Sequence, residues 1–217
     1  MSGGPEAAIR ATARALAKVD TAAAVVIVEG ISDQIAVETA AAGRGRDLDA
    51  ERVVIVPIGG AHAIGGFLTR LGPLLTQVRL TGLCDQREEE VFRRALVTAG
   101  VGAPRTRTDM ERLGFYVCIN DLEDELIRAV GTEGVEALFD SQGDLRSFRS
   151  FQTQPAWRGR ELDLQIRRFL RSSARRNLRY ARLLVEDAIN RNALARPLDA
   201  LLTTIARNAT ETTSQST

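Results

Sequence analysis

Short continuous apolar runs alternate with stretches of helical periodicity along the first 130 residues. Ala23-Ala24-Val25-Val26-Ile27-Val28 is unbroken and β-branched, as a strand covered on both faces must be, and it stops at Glu29-Gly30. Arg52–Ile58 repeats the pattern and stops at Gly59-Gly60; Val78–Cys84 stops at Asp85; Phe115–Ile119 stops at Asn120-Asp121. Between them, helical patterns occupy Asp33–Ala42, a stretch reaching about Leu75, Glu88–Ala99 and Leu122–Val130, with an Ala-rich helix over Pro5–Val19 in front. Four strands alternating with helices predict an α/β fold with a mainly parallel sheet covered on both faces. In such sheets, function gathers at the carboxyl ends of the strands.

Beyond residue 150 the strand signal is lost. Arg160–Arg171, Arg175–Asn192 and Pro197–Arg207 read as helices, and a Thr- and Ser-rich end follows. The expected organisation is an α/β domain over residues 1–149, an all-helical extension over 150–207 and a disordered tail over 208–217. No internal repeat is visible, so the helical part is expected to pack on the sheet.

Composition narrows the class. The 217 residues are 44% hydrophobic and 26% charged, an ordinary globular balance. No apolar run reaches the roughly 20 residues of a membrane span, and the start lacks a basic region followed by an apolar one. With only Cys84 and Cys118 there is no disulfide framework, so the expected setting is cytoplasmic. The near-neutral total hides an uneven distribution: residues 1–149 carry 17 basic against 22 acidic side chains, and residues 150–217 carry 12 against 6. An acidic front and a basic back suit a protein that holds cations at one place and phosphates at another. Lys18 is the only lysine, beside 28 arginines.

The acids stand where chemistry is expected. Glu29 closes the first strand and Asp33 follows four residues later; Asp85 closes the third, with Glu88 three residues on; Asp121 and Glu123 follow the fourth. Carboxylates gathered by a parallel sheet repel one another unless protons or a cation intervene. Oxygen ligands suit Mg²⁺ or Mn²⁺, whereas one His and two scattered Cys do not make a zinc site. Simpler readings stay open for most of them. Asn120 to Glu123 has the spacing of a capping box, Asp33 suits a helix first turn, and Glu88-Glu89-Glu90 suits a solvated one. A phosphorylatable receiver domain also places acids at sheet ends, but it needs a lysine after a late strand, and Lys18 precedes the first.

Val25-Val26-Ile27-Val28-Glu29-Gly30-Ile31-Ser32-Asp33 resembles the opening motif of Toprim domains, and Leu83-Cys84-Asp85 resembles the start of their second motif. Val117–Leu126, with Asp121-Leu122-Glu123, is similar to a segment of the OLD (overcoming lysogenization defect) endonucleases. Phe169-Leu170 and Arg179–Leu184 resemble the end of that group, so the likeness spans roughly Ala23–Leu202. The resemblance implies a Toprim-like fold with Glu29 as the catalytic acid/base or a ligand. Asp33, Asp85, Glu123 and neighbouring Asp121 would be further ligands of two Mg²⁺ or Mn²⁺ ions. Glu88 stands near the place of the second acid of an Asp-x-Asp pair, which here reads Asp85-Gln86-Arg87. The helical lysine of OLD nucleases is missing, with Asn177 at its place and Arg176 beside it, and no ATPase phosphate loop G-x-x-x-x-G-K-[ST] occurs.

On a helix, Arg175, Arg179 and Arg182 fall within about 60° of one another. With Arg176, and with Arg167, Arg168 and Arg171 adding to the same region, they form either a ridge for nucleic acid, DNA in preference to RNA, or a solvated face. Trp157 and Tyr180 read as base-stacking or packing residues, and Gly59–Gly66 with His62 as a phosphate loop or a plain turn. Three functions follow: metal-dependent cleavage of nucleic acid, a nucleic-acid- and metal-binding module working with a partner such as a separate ATPase, or a small-molecule phosphoryl or nucleotide enzyme using the same acids, with the arginines binding a nucleotide. Homodimerisation through the C-terminal helices is a further expectation.

Overall fold

The computed structural model describes residues 5–75 and 77–214. Four strands form one sheet: β1 (Ala24–Val28), β2 (Val53–Pro57), β3 (Arg79–Asp85) and β4 (Phe115–Cys118). Their order is β2-β1-β3-β4 and every pairing is parallel. All four therefore end at the same edge. After β1 the chain winds outward to β2, then returns to the other side of β1 for β3, which opens a crevice beyond the ends of β1 and β3.

The continuous apolar runs are explained by cover on both faces. Successive side chains of a strand point to opposite sides, so Val25 and Ile27 enter one core while Ala24, Val26 and Val28 enter the other. The first core is closed by α1 (Pro5–Leu16), α3 (Ile64–Leu71), α4 (Glu89–Thr98) and α5 (Arg107–Arg112), through residues such as Phe67, Leu68, Phe92, Leu96 and Met110. The second is larger. It takes α2 (Ile31–Gly43), α6 (Leu122–Val130), α7 (Thr132–Ser141), α8 (Leu145–Gln152), α9 (Leu162–Arg171), α10 (Ala174–Asn190) and α11 (Arg196–Ser214).

The helical extension is thus continuous with the sheet domain. Ala36, Ala40 and Ala41 keep α2 slim where α10 lies against it, and Leu198, Leu201 and Leu202 of α11 are fully buried in the same core as Leu83 and Tyr116 of the sheet. Phe139, Phe148, Phe169 and Tyr180 meet in one aromatic cluster joining α7, α8, α9 and α10.

Some elements differ from expectation. α5, α7 and α8 are short and carry no long periodic stretch; α5 is set by Thr106, which accepts from the Asp109 amide while Asp109 accepts from the Thr106 amide. α11 runs through Ser214 instead of stopping near Arg207, so residues 208–214 of the expected disordered tail are helical, and 215–217 lie outside the described residues.

Gly82 on β3 shows how tightly the crevice strands are joined. A Cβ there would lie 2.5 Å from the Ile27 carbonyl oxygen of β1 and 3.2 Å from the Phe115 ring of β4. Backbone in a paired strand cannot step aside, so Gly82→Ala is expected to cost about 1–3 kcal/mol, the usual penalty of overpacking. Urea unfolding would read this as a lower midpoint, and an unchanged midpoint would mean that β1 and β3 are not so closely packed.

Candidate functional site

Glu29 follows the last residue of β1 and stands at the mouth of the crevice. Its Oε1 accepts a hydrogen bond from the Asp85 amide, 2.8 Å away, so the end of β3 fixes the side chain at the end of β1. The Glu29 carbonyl accepts from both Gly59 and Gly60 amides at 3.0 Å, tying in the turn after β2. Gly59 and Gly60 have φ of 79° and 115°, which glycine adopts without strain. Their role here is to bind the neighbouring strand end. His62 lies exposed on the next turn.

Asp33 sits in the first turn of α2 and accepts from the Gly30 amide at 2.8 Å. The helix-capping reading of Asp33 is therefore realised, while the same carboxylate remains beside Glu29. Burial is the largest cause lifting its pKa, to about 7; the Gly30 bond opposes it, and the charges of Glu29, Glu123 and Asp121 add to it. Asp85 is raised to about 8 by burial and then by Glu29, Asp33 and Asp121, against Arg171. Glu29 is raised by burial and by Glu88 and Asp121, against the Asp85 amide. These acids from β1, α2, β3 and the start of α6 feel one another's charge. Glu88 opens α4 and belongs to that group electrostatically.

The acids after β4 are arranged differently. Asp121, not Asn120, caps α6 by accepting from the Asp124 amide at 2.9 Å, because Asn120 takes a left-handed φ of 62° and falls outside the helix. The other Asp121 oxygen accepts from Arg167 at 2.5 Å and Arg171 at 2.6 Å. Arg171 also donates to Glu123 at 2.6 Å. Burial raises the Glu123 pKa, opposed by Arg171. So α9 lays two arginines over the carboxylates of α6. Arg167 and Arg171, four residues apart and hence on one helix face, point to the acids after β4 instead of adding to the basic region expected on α10.

The ridge expected on α10 is split by packing. Arg176 is half-buried, with its guanidinium 3.9 Å from the centre of the Phe169 ring and Nη1 donating to Ser172 Oγ at 2.8 Å. Arg179 pairs with Asp144, and Arg182 with Glu186 at 2.7 Å. Arg175 is exposed and has no ion pair among the described residues. Tyr180 is fully buried and donates to Asp144 at 2.9 Å, so it packs instead of stacking on a base. Lys18 pairs with Asp49 at 2.9 Å.

With this geometry in view, the fold is similar in class to Toprim domains, with a Glu-Gly turn after β1 and Asp85 after β3. More narrowly, residues 21–78 match the family described as "Overcoming lysogenization defect protein-like, TOPRIM domain". The C-terminal region of the Burkholderia pseudomallei OLD protein superposes with a TM-score of 0.59 at 17% identity, over 87% of this chain and 98% of that one. The C-terminal region of the Xanthomonas campestris pv. campestris OLD protein does so with a TM-score of 0.58 at 20% identity, over 89% and 99%. No curated protein sequence matches. The chain is thus similar to the Toprim domain of OLD proteins over residues 21–78, and the likeness to the solved structures is one of fold. No helix among the described residues is long and apolar enough to cross a membrane.

Toprim domains generally bind divalent metal ions, and the donor set here fits one in kind: carboxylate oxygens only, each disfavouring its neighbours' charge. As the side chains stand, no three carboxylate, thiol or imidazole groups converge on one point among the described residues.

The raised values give a signed expectation. The folded protein binds protons that the unfolded chain has released above pH 4, so metal-free stability falls as pH rises from about 4 through 8. Thermal unfolding in EDTA should show this slope, Asp85→Asn should flatten it, and Mg²⁺ or Mn²⁺ should restore stability most at pH 8. A slope identical in Asp85→Asn would remove Asp85 from the coupled group.

Proposed function

We propose that the chain hydrolyses phosphodiester bonds of nucleic acid, DNA in preference to RNA, by metal-dependent nicking or cutting. The observation that carries this reading is Glu29, held by the Asp85 amide at the crevice with Asp33, Asp85 and Glu88 around it. Glu29, Asp33 and Asp85 would hold Mg²⁺ or Mn²⁺, which when bound activates water and neutralises developing phosphate charge; two ions are the expected number.

The chain's own residues define the remaining roles. Glu29, whose carboxyl pKa is raised by burial, would exchange a proton with the attacking or leaving oxygen where it does not itself ligate the cation. Asp33 and Asp85 supply negative charge for the cation. Arg171, close to half-exposed, would meet a phosphate on releasing Asp121 or Glu123. Arg175 and Arg182 extend the basic surface on α10 for the polymer backbone.

One observation favours a second reading. Asp121 and Glu123 are already neutralised by Arg167 and Arg171, leaving fewer acids for metal. The chain would then be a nucleic-acid- and metal-binding module acting with a partner such as an ATPase. A cytoplasmic setting fits either reading. The apolar residues of α10 and α11 that suggested a homodimer, Leu184, Val185, Leu198 and Leu201, are buried within the chain, so a dimer would use another surface.

Supercoiled plasmid incubated with protein and Mg²⁺, Mn²⁺ or EDTA separates the two. Metal-dependent nicking that falls roughly 10²–10⁴-fold in Glu29→Gln is expected of the nuclease. DNA binding without nicking by folded, metal-loaded protein would establish the binding module instead.

A further inference from the structure

The helical layer contains a second concavity, a cleft of about 530 Å³ between α8, α9 and the start of α10. Its volume lies within the roughly 300–1,000 Å³ range of small-ligand sites. Three arginines line it and no carboxylate does. Arg146 on α8 and Arg168 on α9 are exposed and make no ion pair among the described residues. Arg176 is fixed in place on the Phe169 ring, and its one carboxylate neighbour, Asp144 at 3.9 Å, is already shared by Arg179 and Tyr180. Cationic charge is therefore concentrated here, with Asp144 the one carboxylate beside it among the described residues.

The cleft also has an aromatic end. Phe148, Phe151 and Trp157 form a row of nearly parallel rings, tilted by 18° and 29° with centroids 6.3 and 5.3 Å apart. The row starts at fully buried Phe148 and ends at half-buried Trp157 on the cleft wall. A further flat ring could extend that stack at the cleft. Such a pairing of a stacking surface with several guanidiniums suits a ligand having both an aromatic base and a phosphate.

We propose that this cleft binds a nucleoside phosphate, its base stacked on Trp157 and its phosphate held by Arg146, Arg168 and Arg176. The ligand is either a free nucleotide or one nucleotide of a single strand. α9 separates the two sites: Arg167 and Arg171 face the carboxylates, while Arg168 and Ser172, a further 100° around the helix, line the cleft. Binding here does not depend on the hydrolytic reading, because none of the acids at the crevice takes part.

Trp157 is the chain's only tryptophan, so intrinsic fluorescence reports on the cleft directly. The full chain would be titrated with adenosine 5′-monophosphate, adenosine, inorganic phosphate and a short single-stranded oligodeoxynucleotide. Saturable quenching by the monophosphate or the oligonucleotide is expected, with adenosine and phosphate far weaker. Equal affinity for both identifies a free nucleotide, and response to the oligonucleotide alone identifies a strand. Arg146→Glu and Arg168→Glu, both at exposed positions, should each weaken binding roughly tenfold without lowering the thermal midpoint, and Glu29→Gln should bind as the parent does. The proposal is overturned if neither phosphate ligand gives a saturable change, if inorganic phosphate matches the monophosphate, or if Arg146→Glu and Arg168→Glu both bind normally. Failure of Glu29→Gln to affect nicking would concern the crevice alone.

Discussion

Mutual repulsion among carboxylates at one edge of a parallel sheet is the constraint around which this molecule is arranged. All four strands end at that edge, and the winding reverses between β1 and β3, so Glu29 and Asp85 meet there with Asp33 from the next helix. Like charges that are partly withdrawn from water favour protonation or a counter-charge. Both responses are visible. Asp33 and Asp85 hold protons more tightly than free carboxyls, and Asp121 and Glu123 take arginines. Binding of a divalent cation would be a third response of the same kind, which links the acid cluster to metal-dependent chemistry.

The helical layer answers that constraint from the other side. α9 carries Ile166, Phe169 and Leu170 into the core, and this anchoring leaves Arg167 and Arg171 directed at the acids. The C-terminal helices therefore contact the acid cluster as well as the core. Their buried face builds one wall of the sheet core, and their charged face supplies the cations. Arginine suits this position because its planar group bridges two carboxylates at once, as Arg171 does between Asp121 and Glu123.

Much of this was legible in the chain because it rests on local pattern. Unbroken β-branched runs announce strands covered on both faces, and the acids lie immediately after them, so spacing alone puts Glu29, Asp33 and Asp85 near one edge. α6 was bounded correctly because its periodicity is strong and Gly131 ends it. Short α5 is not legible in the same way because a helix of six residues contains too few turns for periodicity to stand out.

By itself, then, the sequence determined the alternation of strands and helices, the acidic strand ends and the excess of arginine in the last third of the chain. Only the tertiary structure decided which arginine meets which acid. Arg176 and Arg179 look equivalent to Arg175 along a helix, yet ring packing on Phe169 and pairing with Asp144 commit them elsewhere. Arg167 and Arg171 reach Asp121 across 46 and 50 residues. Partners that distant are fixed by how helices pack on a shared core, a long-range outcome that no local spacing encodes.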